Sequence, residues 1–287
     1  MRSLTPGAAK KKKTAKASTA GSAVPQLSIV CDADTLRSLV RKRTVRVVDV
    51  RKEDDYKQEH IPTAVSLPLA RVLENDTPEK IVSIMEELGI SDKMPVVVYD
   101  DTFGALAARV AWTFQYVGHS NTALLEMTFK QWKELGLETE KQVRAFPRAK
   151  HSLNINKDIY ADASYVEAAK SQPGKLLVDS RERLNFLTEH IPGAKNIPYT
   201  MVGSNGNILR KADELKRFIE NRGITDNAEI ITYCGSVGTL SGLTYYALKL
   251  AGFQNVKLYP KSFKEWKALG KPKEEFKDAT YWDLSAE

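Results

Sequence analysis

Residues 228–239 read AEIITYCGSVGT. Ile230, Ile231, Thr232 and Tyr233 are β-branched or aromatic, the character of a short buried strand. The run ends on Cys234, and a short segment carrying Gly235 and Gly238 follows. Beyond it Leu243, Tyr246, Ala247 and Leu250 have helical spacing up to Gly252, which reads as a C-cap. A cysteine between a strand end and a helix start sits where backbone N–H groups converge. Both that nest of donors and the helix dipole favour an anion. At such a place the anion is a thiolate, the nucleophilic form of cysteine. The alternative is a small buried hydrophobe in a tight turn.

The same arrangement occurs earlier in the chain. EELGISDKMPVVVYDDTFG (86–104) matches ENRGITDNAEIITYCGSVG (220–238) at an offset of 134, which also pairs Trp132 with Trp266. Upstream, TVRVVDVRKEDDYKQEHIPTAVSLPL (44–69) matches KLLVDSRERLNFLTEHIPGAKNIPY (175–199) at an offset of 130. That register pairs Asp49 with Asp179, Arg51 with Arg181 and His60 with His190. The extra residues of the second copy fall near GSNGN (203–207), a turn-like stretch where insertion is cheap. Short apolar strands alternating with helical patterns imply an α/β fold, each copy a parallel sheet covered by helices on both faces. Residues 26–138 and 157–287 are the two expected domains, joined by a linker over 139–156.

Two cysteines, Cys31 and Cys234, in 287 residues exclude a disulfide framework, and no Cys/His cluster suggests a metal. A reducing compartment is expected, the cytoplasm first. No apolar run approaches bilayer length, so no membrane partner is expected. The net charge of +7 gathers in residues 1–25, where Arg2, Lys10 to Lys13 and Lys16 precede any acid. The remainder is close to neutral, which argues against a specific nucleic-acid partner. Residues 1–25 read as a disordered basic tail, with a mitochondrial transit peptide as the sharper alternative.

The register sets Asp100 opposite Cys234, so one thiol centre is expected, in the second domain. Cys31 aligns with Ala161 and reads as an interchangeable small residue; the paired tryptophans read as core. A cysteine phosphatase would need an arginine six residues after the cysteine, and that residue is Leu240.

The tandem D-x-R…E-H-I-P-x-A pattern, with V-x-Y-D in one half and Y-C-G-S in the other, resembles the two-domain rhodanese family over roughly residues 27–280. The resemblance implies two tandem rhodanese-like domains, an inactive first and an active second. It also implies sulfur transfer through a persulfide on Cys234, without a cofactor. The C-G-S opening is similar to 3-mercaptopyruvate sulfurtransferases, whereas thiosulfate sulfurtransferases more often carry C-R-K. Thiosulfate as donor and a non-turnover persulfide carrier are the alternatives.

The resemblance implies Cys234 as nucleophile. It further implies that Ser236 works with Asp49 and His60 of the first domain, although the repeat of those two as Asp179 and His190 equally suits a structural framework. Gly235, Val237, Gly238 and Thr239 are expected to cradle the anion, Thr239 also suiting a helix cap. Two departures stand out. The loop reads C-G-S-V-G-T where those enzymes read C-G-S-G-V-T, and Asn185 stands where they carry a substrate-holding arginine. Arg183 is the expected substitute, with Arg181 as a second candidate. The expected partners are a small sulfur donor and a thiol acceptor such as thioredoxin, with the chain a monomer.

Overall fold

The computed structural model describes residues 24–204 and 206–276. The tail reading of residues 1–25 falls, but for Val24 and Pro25, outside the described residues. The strands are β1 (Val30–Cys31), β2 (Arg46–Asp49), β3 (Val65–Ser66), β4 (Val96–Tyr99) and β5 (Thr122–Leu125), then β6 (Lys175–Asp179), β7 (Lys195–Asn196), β8 (Glu229–Tyr233) and β9 (Val256–Leu258). The first-half helices are α1 (Ala33–Lys42), α2 (Glu53–Gln58), α3 (Leu69–Glu74), α4 (Pro78–Glu87), α5 (Ala105–Tyr116) and α6 (Phe129–Glu134). The second half has α7 (Ala163–Ala169), α8 (Arg183–Thr188), α9 (Ala212–Glu220), α10 (Thr239–Leu250) and α11 (Ser262–Ala268).

Two separate sheets form, ordered β1-β5-β4-β2-β3 and β7-β6-β8-β9. Every strand pair is parallel. The repeat is visible in the caps. Asp32 accepts the Thr35 N–H at the start of α1, and Asp162, 130 residues on, accepts the Tyr165 N–H at the start of α7. Both α5 and α10 start on a glycine in the left-handed region, Gly104 (φ +85°) and Gly238 (φ +75°).

Side chains alternate across each strand, so the faces bury different cores. Val47 and Val97 join an outer core with Tyr56, Phe129 and Trp132. Leu177, Ile231 and Tyr233 do the same with Phe263 and Trp266. The opposite faces, through Val48, Val98, Val178 and Ile230, share one core that runs from one domain into the other. Its centre is the packing of α5 on α10. A Cβ on Gly242 would stand 3.4 Å from the Arg109 N, so the two helices approach backbone to backbone. Ile208 seals the other end, its N–H bonded to Glu126 O at 2.8 Å. Near the extra residues of the second copy, Ser204 and Asn207 exchange backbone hydrogen bonds.

The segment 139–156 lies along the first domain. Glu140 pairs with His60 in a short antiparallel bridge, and Arg46 stacks on the Phe146 ring at 3.2 Å. Farther on, His151 Nε2 stands 3.0 Å from His119 Nδ1, and His119 Nε2 faces Met94 O at 2.9 Å. Burial, and then the neighbouring His151, hold His119 down to about 4. The unfolded chain protonates this histidine near 6.5, so it binds more protons than the folded chain between those two values. Stability is therefore full above about pH 6.5 and lost as pH falls toward 4. Urea unfolding at pH 7 and pH 4.5 should show a loss on the order of 2–3 kcal/mol that His119→Gln removes. An equal loss in the variant contradicts this assignment.

Candidate active site

Cys234 directly follows β8 and is 2% exposed. Its surroundings come from α11. The Cys234 N–H donates to Ser262 Oγ at 3.1 Å, and that hydroxyl, itself donating to Tyr259 O at 2.9 Å, stands 3.7 Å from Sγ. The N–H groups of Phe263 and Lys264 donate to the carbonyls of Cys234 and Gly235 at 3.0 and 2.9 Å. With those carbonyls held outward, the following loop can turn its amides toward the sulfur. Ser262 has φ +56°, a strained conformation for serine that the paired hydroxyl contacts hold in place.

The first domain shows what such a loop binds. Asp100, the counterpart of Cys234, accepts the N–H groups of Thr102 and Gly104 on Oδ1 at 2.8 Å each, and that of Ala107 on Oδ2 at 2.9 Å. Burial pushes this carboxyl up even against those donors. The counterparts of Thr102 and Gly104 are Ser236 and Gly238, whose N–H groups take no acceptor among the described residues. The nest that a carboxylate fills in one domain is thus open beside a thiol in the other.

The loop faces a cavity of about 610 Å³ between the domains. Ser236 and Val237 form one side, and Val72, Leu73 and Trp112 supply much of the opposite wall. Arg109, from α5, is the cation buried against the loop. Its Nε donates to Val237 O at 2.8 Å, and Nη1 is bonded to the Thr113 hydroxyl. It is 8% exposed, and burial lowers its pKa to about 10, partly offset by the charges of Asp76 and Cys234. Its Nη2 has no hydrogen-bond partner among the described residues.

The sequence expectations divide here. Ser236, Val237 and Gly238 meet at the loop, Gly238 packed so closely that a Cβ would stand 3.1 Å from Pro260 Cα. Gly235 is exposed at the loop's start. Thr239 is the first residue of α10, not its cap; Gly238 holds that position without a side-chain bond.

Asp49 and His60 are not among the residues lining the cavity with Ser236. Asp49 binds Arg51 through Oδ1 and Oδ2 and accepts the Tyr99 hydroxyl, while His60 faces Tyr56 O at 2.7 Å and Gln142 O at 3.1 Å. The second domain repeats the framework: Arg181 binds Asp179 and Glu189 O at 2.6 Å each, and His190 faces Phe186 O at 2.8 Å. These residues tie the strand end to the H-I-P turn, so Arg181 is spoken for as well. Arg183 opens α8 and is not among the residues lining the cavity. The buried cation lining the cavity is Arg109, from the other domain.

Cys31 is buried among the outer core of the first domain, and burial together with Asp32 and Glu126 pushes its thiol up to about 12. It is no competitor for the chemistry. Ser262→Ala removes both the acceptor for the Cys234 N–H and the hydroxyl nearest Sγ. It should cost about 1–3 kcal/mol in urea unfolding. It should also slow alkylation of Cys234 by iodoacetamide at pH 8, read by peptide mass. Alkylation at the wild-type rate contradicts the role given to Ser262.

Comparison with known proteins agrees with this geometry. The model of the Rhodanese-like domain matches residues 32–135 and again 162–269. The chain is 29% identical over 268 residues to the sulfur carrier protein TtuD of Thermus thermophilus, covering 83% of this chain and 93% of that one. It is 30% identical over 236 residues to a probable 3-mercaptopyruvate sulfurtransferase of Schizosaccharomyces pombe, covering 76% and 75%. Among solved structures it is similar to SseA from Escherichia coli, from the 3-mercaptopyruvate sulfotransferases, with TM-score 0.74, 25% identity, and coverage of 83% and 99%. The chain, with one open thiol nest and one closed by Asp100, belongs to the rhodanese family of sulfurtransferases.

Proposed function

We propose that this sulfurtransferase takes sulfur from 3-mercaptopyruvate and passes it through a persulfide on Cys234 to a thiol. The observation that carries the donor is the pairing of an apolar wall with one buried guanidinium, Arg109, at a loop that has no cation of its own. A monocarboxylate with a carbon skeleton suits such a site: the carboxylate meets Arg109 and the methylene and keto carbons lie along Val72 and Leu73. Thiosulfate, a hydrated dianion without carbon, gains nothing from that apolar wall. The name of the Schizosaccharomyces relative supports the same donor.

In the first half-reaction the Cys234 thiolate attacks the donor's thiol sulfur. The S–C bond breaks, its electron pair goes to the carbon as the pyruvate enolate, and a proton converts that to pyruvate. Ser236 lines the same cavity and is the side chain available to relay that proton. In the second half-reaction a thiolate takes the outer sulfur and the Cys234 thiolate returns to its nest. The open amides of Ser236 and Gly238 favour the anionic sulfur at both ends of the cycle. The proposal carries with it a monomer in a reducing, cytoplasmic setting where thiol acceptors such as thioredoxin are abundant.

Steady-state transfer to a thiol, with 3-mercaptopyruvate and thiosulfate in parallel, tests this. Mercaptopyruvate should lead in kcat/KM and Cys234→Ser should be inactive. Arg109→Leu should raise KM for mercaptopyruvate by roughly 10- to 100-fold, the loss of a charged hydrogen bond. A thiosulfate preference would overturn the donor. Persulfide formation without turnover on either donor would favour a carrier, the role named for the Thermus relative.

A further inference from the structure

The cavity is larger than its donor. At about 610 Å³ it lies within the range of about 300–1,000 Å³ that holds drug-sized ligands, several times what a three-carbon keto acid fills. Beyond Arg109 its wall is aromatic. Trp112 and Tyr116 of the first domain stack with ring centroids 5.4 Å apart and planes 5° apart. Tyr160 of the second domain meets them at 6.5 and 5.2 Å. Trp112 is buried, while Tyr116 and Tyr160 keep part of their ring surface open to the cavity. Neither tyrosine is used by the donor chemistry.

Charge around the cavity is mixed but leans positive. Glu265 is occupied by the Tyr259 hydroxyl at 2.8 Å and by Lys261 at 3.2 Å. Asp76 faces Arg109. Lys264 lines the cavity and makes no ion pair among the described residues. The surface therefore combines stacking area with a spare cation.

We propose that the sulfur acceptor is an aromatic or heteroaromatic thiol carrying an anionic group, its ring stacked on Tyr116 and Tyr160. The proposal rests on the persulfide reading of Cys234 and not on the identity of the donor. The two half-reactions occur in turn, so pyruvate leaves before the acceptor enters and one cavity serves both. The aryl thiolate attacks the outer sulfur of the Cys234 persulfide, an S–S bond forms between them, and the Cys234–sulfur bond breaks. The electron pair returns to Cys234 as thiolate and the aryl persulfide keeps the outer hydrogen. One sulfur moves and no external oxidant or reductant is consumed. Offset stacking of such a ring on the two tyrosines supplies selectivity that an aliphatic thiol cannot draw on.

The test uses the full chain, loaded with inorganic polysulfide so that no donor preference enters, and mass spectrometry first verifies the sulfur on Cys234. Failure to load would count against the persulfide reading itself. Discharge by 4-mercaptobenzoate and by 3-mercaptopropionate is then followed in single turnover. Each rate is divided by the same thiol's rate on glutathione persulfide, which removes intrinsic reactivity. The expected result is saturable discharge by the aromatic thiol with a normalised advantage of about tenfold, the lower end of aromatic stacking. Tyr160→Ala and Tyr116→Leu should each bring that ratio toward one, and Tyr160→Phe should keep it. Equal normalised rates in the wild type, or a ratio that both ring-removing variants leave intact, would overturn the proposal.

Discussion

The close approach of α5 to α10 is the constraint on which the site depends. Gly242 has no side chain at the crossing, so α10 comes to within a Cβ contact of the α5 backbone at Ala108 and Arg109. That proximity lets Arg109 reach the carbonyl of Val237 and fix the loop after Cys234. Burying a guanidinium between two helices is costly, and here the loop carbonyl and Thr113 offset part of that cost by accepting from Nε and Nη1. The first domain thus forms part of the cavity beside the loop after Cys234. It supplies the cation, the apolar wall and most of the aromatic shelf.

Duplication explains how the two halves came to differ without losing the fold. The D-x-R networks share their central bonds, Arg51 and Arg181 each holding its own aspartate and the carbonyl eight residues on, while Arg51 alone also binds Asp101. What diverged is the content of the loop nest and the residue facing it. Asp100 closes the first nest with its own carboxylate, and Leu243, the counterpart of Arg109, faces the first domain's loop at the second interdomain cavity. Removing one thiol and keeping one cation produces a single reaction centre. The carboxylate of Asp100 marks the place a sulfur anion takes in the other domain.

Much of the fold was legible in the sequence. The offset repeats marked the two halves that form two parallel sheets, the strand–cysteine–glycine–helix order foretold β8 and α10 on either side of Cys234, and the register set Asp100 in the matching loop. Arg109 left a trace, since it is the lone charge in the apolar run ALAARVAWTFQY (105–116), but only the packing of two distant helices shows that it meets the loop. Ser262 left none, because its place beside Cys234 rests on a left-handed backbone that serine seldom adopts. Asp49 and His60 allowed a catalytic and a structural reading equally, because a buried ion pair and a reactive dyad use the same residue types. Their partners, Arg51, Tyr99, Tyr56 and Gln142, decide for structure. Pairwise offsets carry register and cannot reveal which face a side chain spends its hydrogen bonds on.

One transferable sulfur atom should reside on Cys234 and on no other cysteine. Peptide mapping of the full chain after brief exposure to 3-mercaptopyruvate, with persulfides trapped by iodoacetamide before digestion, measures this directly. The account predicts a single added sulfur on the peptide containing Cys234, lost on addition of a thiol, with the Cys31 peptide unchanged. Added sulfur on Cys31, or none on either peptide, would contradict it.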